Sequence, residues 1–480
     1  MINLFGYKLT KISIILAVIL LVGLFLRLHN IENWNLSCDE AFSERLAGLG
    51  FVDIVKESIR DVHPPFYFFT LHMWVDVFGN SEYALRGFSV LFGVASIWLT
   101  YVLSSSIFNK RVGSTSAFLM SISSYNIQYS QDARMYTLLL FLSLLSVYLF
   151  LKILDKFEDI KNEKYLFGLV LVNTLLLYTH LYGSLLVLFE ILWLVFRYYK
   201  LKNLHDNQNL AVSRVFYSII ASLILFLPWV PVVIRQIIER PNSWLTIPSP
   251  LEILKLFSGN YVLLFLFFPL AVAPIFWKKI RNEKTIFLSL AFVFIIAIPL
   301  LISIIIFPSI RPRYIIFASA IFYILIAYSI DLIKSKTLKI NLALWVIVLS
   351  CLAINDFYKS PDNADWRNTA KLIDQQANPN DLVIFNAGFA LGNGFNYYSD
   401  RTDLMKVPFP KVSEEINEDV DENNIEELDE FLPKNYTNVW VVYHSWRDPD
   451  DLIAKKIGSY GYVFADEQEF PGVFVDKFVK

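Results

Sequence analysis

Six stretches of the 480-residue chain carry side chains able to do chemistry: Asp39-Glu40; His63-Pro64-Pro65; Arg86; the run Gln131-Asp132-Ala133-Arg134-Met135-Tyr136; His180 with Tyr182; and Arg311-Pro312-Arg313-Tyr314. A positioned carboxylate can take a proton from a hydroxyl, and a second beside it can stabilise a developing cation. Arginine presents a planar fork of donors that fits phosphate oxygens, so Arg86, Arg134 and Arg313, with His63 and Tyr314, are candidates for holding a phosphate. Asp132, Tyr136, His180 and Tyr182 are candidate substrate contacts. Each position also has a plainer reading. Asp39-Glu40 equally fits a solvated helix start, and Pro64-Pro65 is a rigid turn whatever His63 does. Single histidines are commonly hydrogen-bonded structure, and Arg134 and Arg313 fit arginines that snorkel toward lipid headgroups.

The elements that must position these residues are written in the hydropathy. The chain is 55% hydrophobic and only 18% charged, with the apolar residues gathered in blocks between short charged loops. Blocks of about 20 apolar residues are what a helix needs to cross the hydrocarbon core. Eleven spans are expected, at roughly 10–28, 85–107, 113–128, 135–151, 165–181, 183–198, 213–235, 260–277, 284–307, 313–333 and 339–356. The N-terminus resembles a signal peptide, but no small-residue cleavage motif follows Leu26, so an uncleaved first span is expected. Phe66–Phe78 is apolar but too short to cross, and is read as a helix lying in the interface.

With the N-terminus inside, the basic loops 109–111, 152–164, 197–202, 278–284 and 334–339 fall on one side, as the positive-inside rule requires. The loops 29–84, 129–134, 236–259 (with Arg240) and 308–312 then lie outside. This topology carries all six stretches to the outer face. A membrane-embedded region over 1–356, with outer loop 29–84, is expected, followed by an extracytoplasmic α/β domain over 357–480. In that domain Asp365–Ala377 reads as an amphipathic helix, and 381–385 and 438–443 read as short buried strands. Glu414–Glu430 holds ten acidic residues and no basic one, a pattern usual for a solvated surface. Asn35-Leu36-Ser37 and Asn435-Tyr436-Thr437 are glycosylation sequons on the same side. The two cysteines, Cys38 and Cys351, exclude a disulfide scaffold and a cysteine-rich metal site.

One chemistry uses these groups together. If a sugar is carried on a polyprenyl phosphate, the phosphate is the leaving group and needs positive charge rather than a proton donor. The acceptor hydroxyl must lose a proton, which a carboxylate can take. A transporter of lipid-linked saccharides is the alternative. It would place its charges near the membrane midplane on repeated halves, and no repeat is present.

The motifs, in order, are Asp39-Glu40, His63-Pro64-Pro65-Phe66-Tyr67, Phe78-Gly79-Asn80-Ser81-Glu82-Tyr83-Ala84-Leu85-Arg86, and Gln131 to Leu138. This order resembles glycosyltransferase family 39, which includes the protein O-mannosyltransferases and the lipid A aminoarabinose transferases. The likeness covers residues 10 to about 185 and continues more weakly through Arg311–Tyr314. The Asp365-Trp366-Arg367 opening of the tail looks like that of other prokaryotic members. The resemblance implies a GT-C fold and inverting transfer from a polyprenyl-phosphate sugar to a lipid, glycan or protein hydroxyl, in the cell membrane. By it Asp39 is the base or acceptor-binding carboxylate with Glu40 beside it, Arg86 contacts the lipid phosphate, and Tyr314 lies near a phosphate-binding tyrosine. No cofactor is implied beyond a divalent metal as an option. Mannosyltransferases have Gly-Lys where this chain has Phe66-Tyr67, and their large luminal domain is missing; both departures argue against a protein acceptor.

Overall fold

The computed structural model describes the chain except at positions 1, 5–6, 156–162, 202–205, 240–246, 277–281, 360–363, 387, 389–390, 411–419, 423, 435 and 444–449. Arg240, Asn435 and the first part of the acidic run therefore lie outside the described residues. Two short N-terminal strands, β1 (Ile2–Leu4) and β2 (Tyr7–Leu9), precede the helices α1 (Lys11–Leu28), α2 (Cys38–Ala47), α3 (Phe51–Arg60), α4 (Phe66–Phe78), α5 (Glu82–Ile107), α6 (Lys110–Ser121), α7 (Ser124–Ser130), α8 (Tyr136–Asp155), α9 (Glu163–Thr179), α10 (Gly183–Leu201), α11 (Asp206–Phe226), α12 (Val230–Glu239), α13 (Pro250–Ser258), α14 (Tyr261–Phe276), α15 (Glu283–Ile305), α16 (Ile316–Leu332) and α17 (Lys336–Lys359). The tail adds α18 (Trp366–Gln376), β3 (Leu382–Phe385), β4 (Met405–Pro408), β5 (Asn438–Tyr443), α19 (Leu452–Ser459), β6 (Val463–Phe470) and β7 (Val473–Val479).

The chain divides into two compact units: Met1–Ile31 with Leu49–Ser360, and Glu32–Gly48 with Pro361–Lys480. The first unit is helical and membrane-spanning. Among the described residues, seven helical stretches, one of them running through α11 and α12, are long and apolar enough to cross a membrane, with an eighth if α13 and α14, which meet at a 98° bend, form one broken span. The remaining expected spans take other forms. Residues 113–128 are interrupted where Ser123 accepts the Asn126 N–H and starts α7 as a new helix. Helix α9 has only 17 residues. Helix α10 carries Glu190, Arg197 and Lys200 within its 19 residues. Helix α4 covers the expected 13 residues, about 20 Å of helix against a core of about 30 Å. At the centre α16 is buried nearly all round, as an apolar helix without a polar face must be.

In the second unit β4-β3-β5-β7-β6 form one sheet. Strand β3 runs parallel to β4 and β5, whereas β7 pairs antiparallel with β5 and β6. Alternation along the strands feeds two cores. Leu382, Ile384, Val439 and Val441 join Ile453 and Ile457 of α19, while Val383, Phe385, Trp440 and Val442 join Trp366, Ala370 and Ile373 of α18. Asp365 caps α18 by accepting the Asn368 N–H. The end of the acidic run pairs with Lys456 through Glu426 and Asp429, in keeping with a solvated surface.

Candidate active site

Four turns of the first unit meet: 61–65 between α3 and α4, 131–135 before α8, 180–182 between α9 and α10, and 309–315 before α16. Asp61 ends α3, and Gln236 of α12 donates to the Ser58 and Asp61 carbonyls, which fixes that turn. The Asp61 carboxylate accepts the His63 backbone N–H at 3.3 Å and approaches His63 Nδ1 at 2.9 Å. Burial alone would push the Asp61 carboxyl up; the charge and hydrogen bond of His63, with the charge of Arg134, outweigh it and hold the group at about 2. His63 is buried, and its ring meets that of His180 edge-on at 5.5 Å.

His180 is 4% exposed and gathers the other turns around it. Its ring lies 4.9 Å from Tyr314, 5.6 Å from Tyr182 and 6.3 Å from Tyr136. Burial, then the positive charges at His63, Arg134 and Arg313, hold the imidazole well below its ordinary value. The ring is therefore neutral. Its Nδ1 accepts the Tyr182 N–H at 3.1 Å, so the proton sits on Nε2, which has no hydrogen-bond partner among the described residues. Arg313 lies over the rings of Tyr136 and Tyr314, at 5.5 and 5.7 Å. The Tyr182 hydroxyl donates to the Ser309 carbonyl and the Tyr125 hydroxyl to that of Pro312, which tie the 309–315 turn to its neighbours. Burial pushes the Tyr182 hydroxyl up, so it stays protonated.

His63, Arg134, Tyr136, His180, Tyr182, Arg313 and Tyr314 are thus brought together. Asp132 and Arg311 act electrostatically on Tyr129, which packs on Tyr136 at 5.4 Å. Arg86, 2% exposed, donates to the Ile31 carbonyl at 2.6 Å and lies 4.0 Å from Glu82 one helical turn earlier. Asp61 and Tyr129 were missed by sequence reasoning. The Asp61-Val62-His63 spacing is a usable signal, because an aspartate two residues before a histidine can cap the turn and orient the ring. Tyr67, at a position that departs from the mannosyltransferase pattern, is buried and meets Phe68 and Phe88 edge-on, so it is a core residue here.

Asp39 and Glu40 belong to the second unit, at the start of α2. Ser37 and Glu40 form a capping box: Ser37 Oγ accepts the Glu40 N–H at 3.2 Å and Glu40 accepts the Ser37 N–H at 2.9 Å. Glu40 is 2% exposed and Asp39 half-buried. One carboxylate oxygen of Glu40 is thereby committed to the helix start. Both cysteines are free thiols. No group of three or more His, Cys, Asp or Glu able to hold a metal ion occurs among the described residues.

Residues 62–232 match the family model of dolichyl-phosphate-mannose-protein mannosyltransferases. No curated protein sequence matches the chain. Among solved structures it is similar to ArnT from Cupriavidus metallidurans bound to undecaprenyl phosphate, with 14% identity, a TM-score of 0.60 and 98% of each chain covered. It is also similar to the Archaeoglobus fulgidus oligosaccharyltransferase in complex with Zn and sulfate, with 14% identity, a TM-score of 0.59, and 96% of this chain and 72% of that one covered. The same archaeal protein, AglB, in complex with an inhibitory peptide and a dolichol-phosphate matches at 12% identity and a TM-score of 0.53, covering 96% of this chain and 74% of that one. The chain is an integral membrane protein that shares the fold of ArnT and of the archaeal oligosaccharyltransferase, and its residues 62–232 match the mannosyltransferase family model.

Proposed function

We propose that the protein transfers a sugar from a polyprenyl-phosphate carrier to an acceptor hydroxyl on the extracytoplasmic face, with inversion at the anomeric carbon. The observation that carries this reading is the cluster in which Arg313 lies over the rings of Tyr136 and Tyr314 while the charges of Arg134 and His63 act on His180 beside them. Such a cluster attracts an anion, and the aromatic faces suit a sugar or a prenyl chain. ArnT holds undecaprenyl phosphate and AglB a dolichol-phosphate, and this carrier chemistry is the one extended here. In the reaction the acceptor oxygen bonds to the anomeric carbon as the bond from that carbon to the phosphate oxygen breaks. The bonding pair leaves with the lipid phosphate, where Arg86, Arg134 and Arg313 offset the charge with His63 and Tyr314. The acceptor proton goes to the carboxylate of Asp39, the proposed base; Glu40 holds the helix start. Asp132, Tyr136, His180 and Tyr182 contact the donor. The missing luminal domain favours a lipid or glycan acceptor over a protein. The N-terminus is placed in the cytoplasm and the second unit outside, from the one-sided basic loops.

Purified protein in detergent, given a panel of radiolabelled polyprenyl-phosphate sugars and acceptors, should transfer label from at least one donor. Asp39→Asn should lower turnover on the order of 100- to 10,000-fold, the usual contribution of general-base assistance, while donor binding persists. No transfer from any donor, or full turnover in Asp39→Asn, overturns the donor class or the base respectively.

A further inference from the structure

The segment Glu32–Gly48 leaves the first unit and is held within the second. Three consecutive residues at the opening of the tail each take one point of it. Asp365 Oδ1 accepts from Asn35 Nδ2 at 2.7 Å. The indole N–H of Trp366 and the Cys38 thiol are hydrogen-bond partners, and Cys38 packs on the core that contains Trp366. Arg367 Nη2 donates to the Glu32 carbonyl at 3.2 Å. Two residues beyond β3 complete the grip. The Leu36 N–H donates to the Tyr398 hydroxyl at 2.7 Å, and Arg45 Nε donates to Asn393 Oδ1 at 3.1 Å.

These contacts fall on both sides of Asp39: at 32, 35, 36 and 38 before it and at 45 after it. They also reinforce one another. Arg367 stacks over the Tyr398 ring at 5.8 Å. A Cβ at Gly394 would meet the Trp366 indole at 3.0 Å, so glycine there gives the indole its seat. A ten-residue helix such as α2 is marginal by itself and needs tertiary contacts to hold it. The partners named above for α2 and its approach all lie more than 300 positions later in the chain.

We propose that Asp365-Trp366-Arg367, with Asn393 and Tyr398, is a clamp that orients the Asp39-bearing segment, so that the tail unit is a working part of the transfer reaction. This rests on the reading of Asp39 as the base. The clamp residues are positioning residues: they act on the reaction through Asp39.

Tyr398→Phe deletes the acceptor for the Leu36 N–H and keeps the ring, and Asn35→Ala deletes the donor to Asp365. Each removes one hydrogen bond, worth about a three- to tenfold change in the population of the held segment. Two measurements on the full-length protein test the clamp. In a Cys351→Ser background, maleimide labelling of the half-buried Cys38 should speed up by about that factor in either variant. Turnover should fall by a similar factor, with polyprenyl-phosphate affinity unchanged. In an Asp39→Asn background the same substitutions should cost less than about twofold, because a device acting through Asp39 has nothing left to position. Unchanged Cys38 labelling in both variants overturns the clamp. Equal losses of turnover with and without Asp39 reduce it to ordinary structural support and overturn the proposal. Full turnover in Asp39→Asn alone removes the base, and the positioning role with it, while the labelling result still reports whether the segment is held.

Discussion

The Nδ1 atom of His180 is occupied by the Tyr182 N–H, and the ring is kept neutral by burial and by the charges at His63, Arg134 and Arg313. One consequence follows at this residue. The folded state refuses a proton that the unfolded state takes up below about pH 6.5, so stability contributed by His180 is full above that pH and falls as pH drops through it, at about 1.4 kcal/mol per pH unit. The thermal midpoint of wild type relative to His180→Phe should therefore decline between pH 7 and 5; a constant difference would show that the ring titrates normally. Asp61 runs the same way, at lower pH. Its carboxyl is held at about 2, so its contribution is present above pH 4 and is lost as pH falls toward 2. Asp61→Asn should cost roughly 2 kcal/mol at neutral pH, read as a lower thermal midpoint, and this cost should vanish near pH 2. For the phosphate, Arg313→Ala should weaken polyprenyl-phosphate affinity about ten- to a hundredfold, the usual worth of a hydrogen bond to a charged group; unchanged affinity would move the phosphate elsewhere. Asp61 was passed over because a lone aspartate between two helices usually ends the first one, and only its spacing to His63 marks it as more.

Helices α8, α9 and α10 are joined by a closed ring of polar groups. Ser146 Oγ lies 2.6 Å from Asn173 Oδ1 and 2.8 Å from Glu190 Oε1, and Asn173 Nδ2 lies 3.0 Å from Glu190 Oε2. A hydroxyl has one proton and an amide oxygen none. In either orientation of the Asn173 amide, one of the three contacts lacks a proton unless Glu190 supplies it. A neutral acid is also what a fully buried carboxyl among apolar helices requires. Glu190→Gln, which offers an N–H in place of the O–H, should keep the thermal midpoint near wild type. Glu190→Ala should lower it by the equivalent of roughly 1–2 kcal/mol. Equal loss in both would rule out the neutral ring. At this scale the sequence marks the apolar blocks well and their breaks poorly. The reading of 236–259 as loop missed the last residues of α12 and all of α13, because a short amphipathic helix beside a span carries no 20-residue apolar run. The 98° bend before α14 comes at Gly259, whose φ of +92° suits glycine and whose missing Cβ leaves room for Ser124 and Ala353.

At the scale of the whole molecule the chain makes one excursion that its linear order hides: 32–48 joins a unit whose remaining residues begin at 361. A domain boundary placed near 357 from composition keeps this segment with the membrane region, because nothing in its own residues marks a partner far along the chain. The side assignment remains a matter of charge: basic loops stay in the cytoplasm because lysine and arginine are the costliest groups to translocate. Cysteines introduced at positions 39 and 110 of a chain with Cys38 and Cys351 replaced by serine should react with an impermeant maleimide from opposite sides of sealed vesicles. Labelling of both from the same side would reverse the topology.

By itself the sequence determined that this is a polytopic membrane protein, which residues can hold a phosphate or take a proton, and that a small α/β unit follows. Apolar run length, charge distribution and side-chain chemistry are local properties, and each survives reading one residue at a time. Only the tertiary structure decided which candidates share surroundings. It set His180 as a neutral donor between His63 and Tyr314, turned Arg86 toward the Ile31 carbonyl, and committed Glu40 to capping Ser37. It also brought Asp365, Trp366 and Arg367 onto the segment that carries Asp39. Protonation state and hydrogen-bond commitment depend on burial and on neighbours from distant turns, and neither is written in the order of the residues.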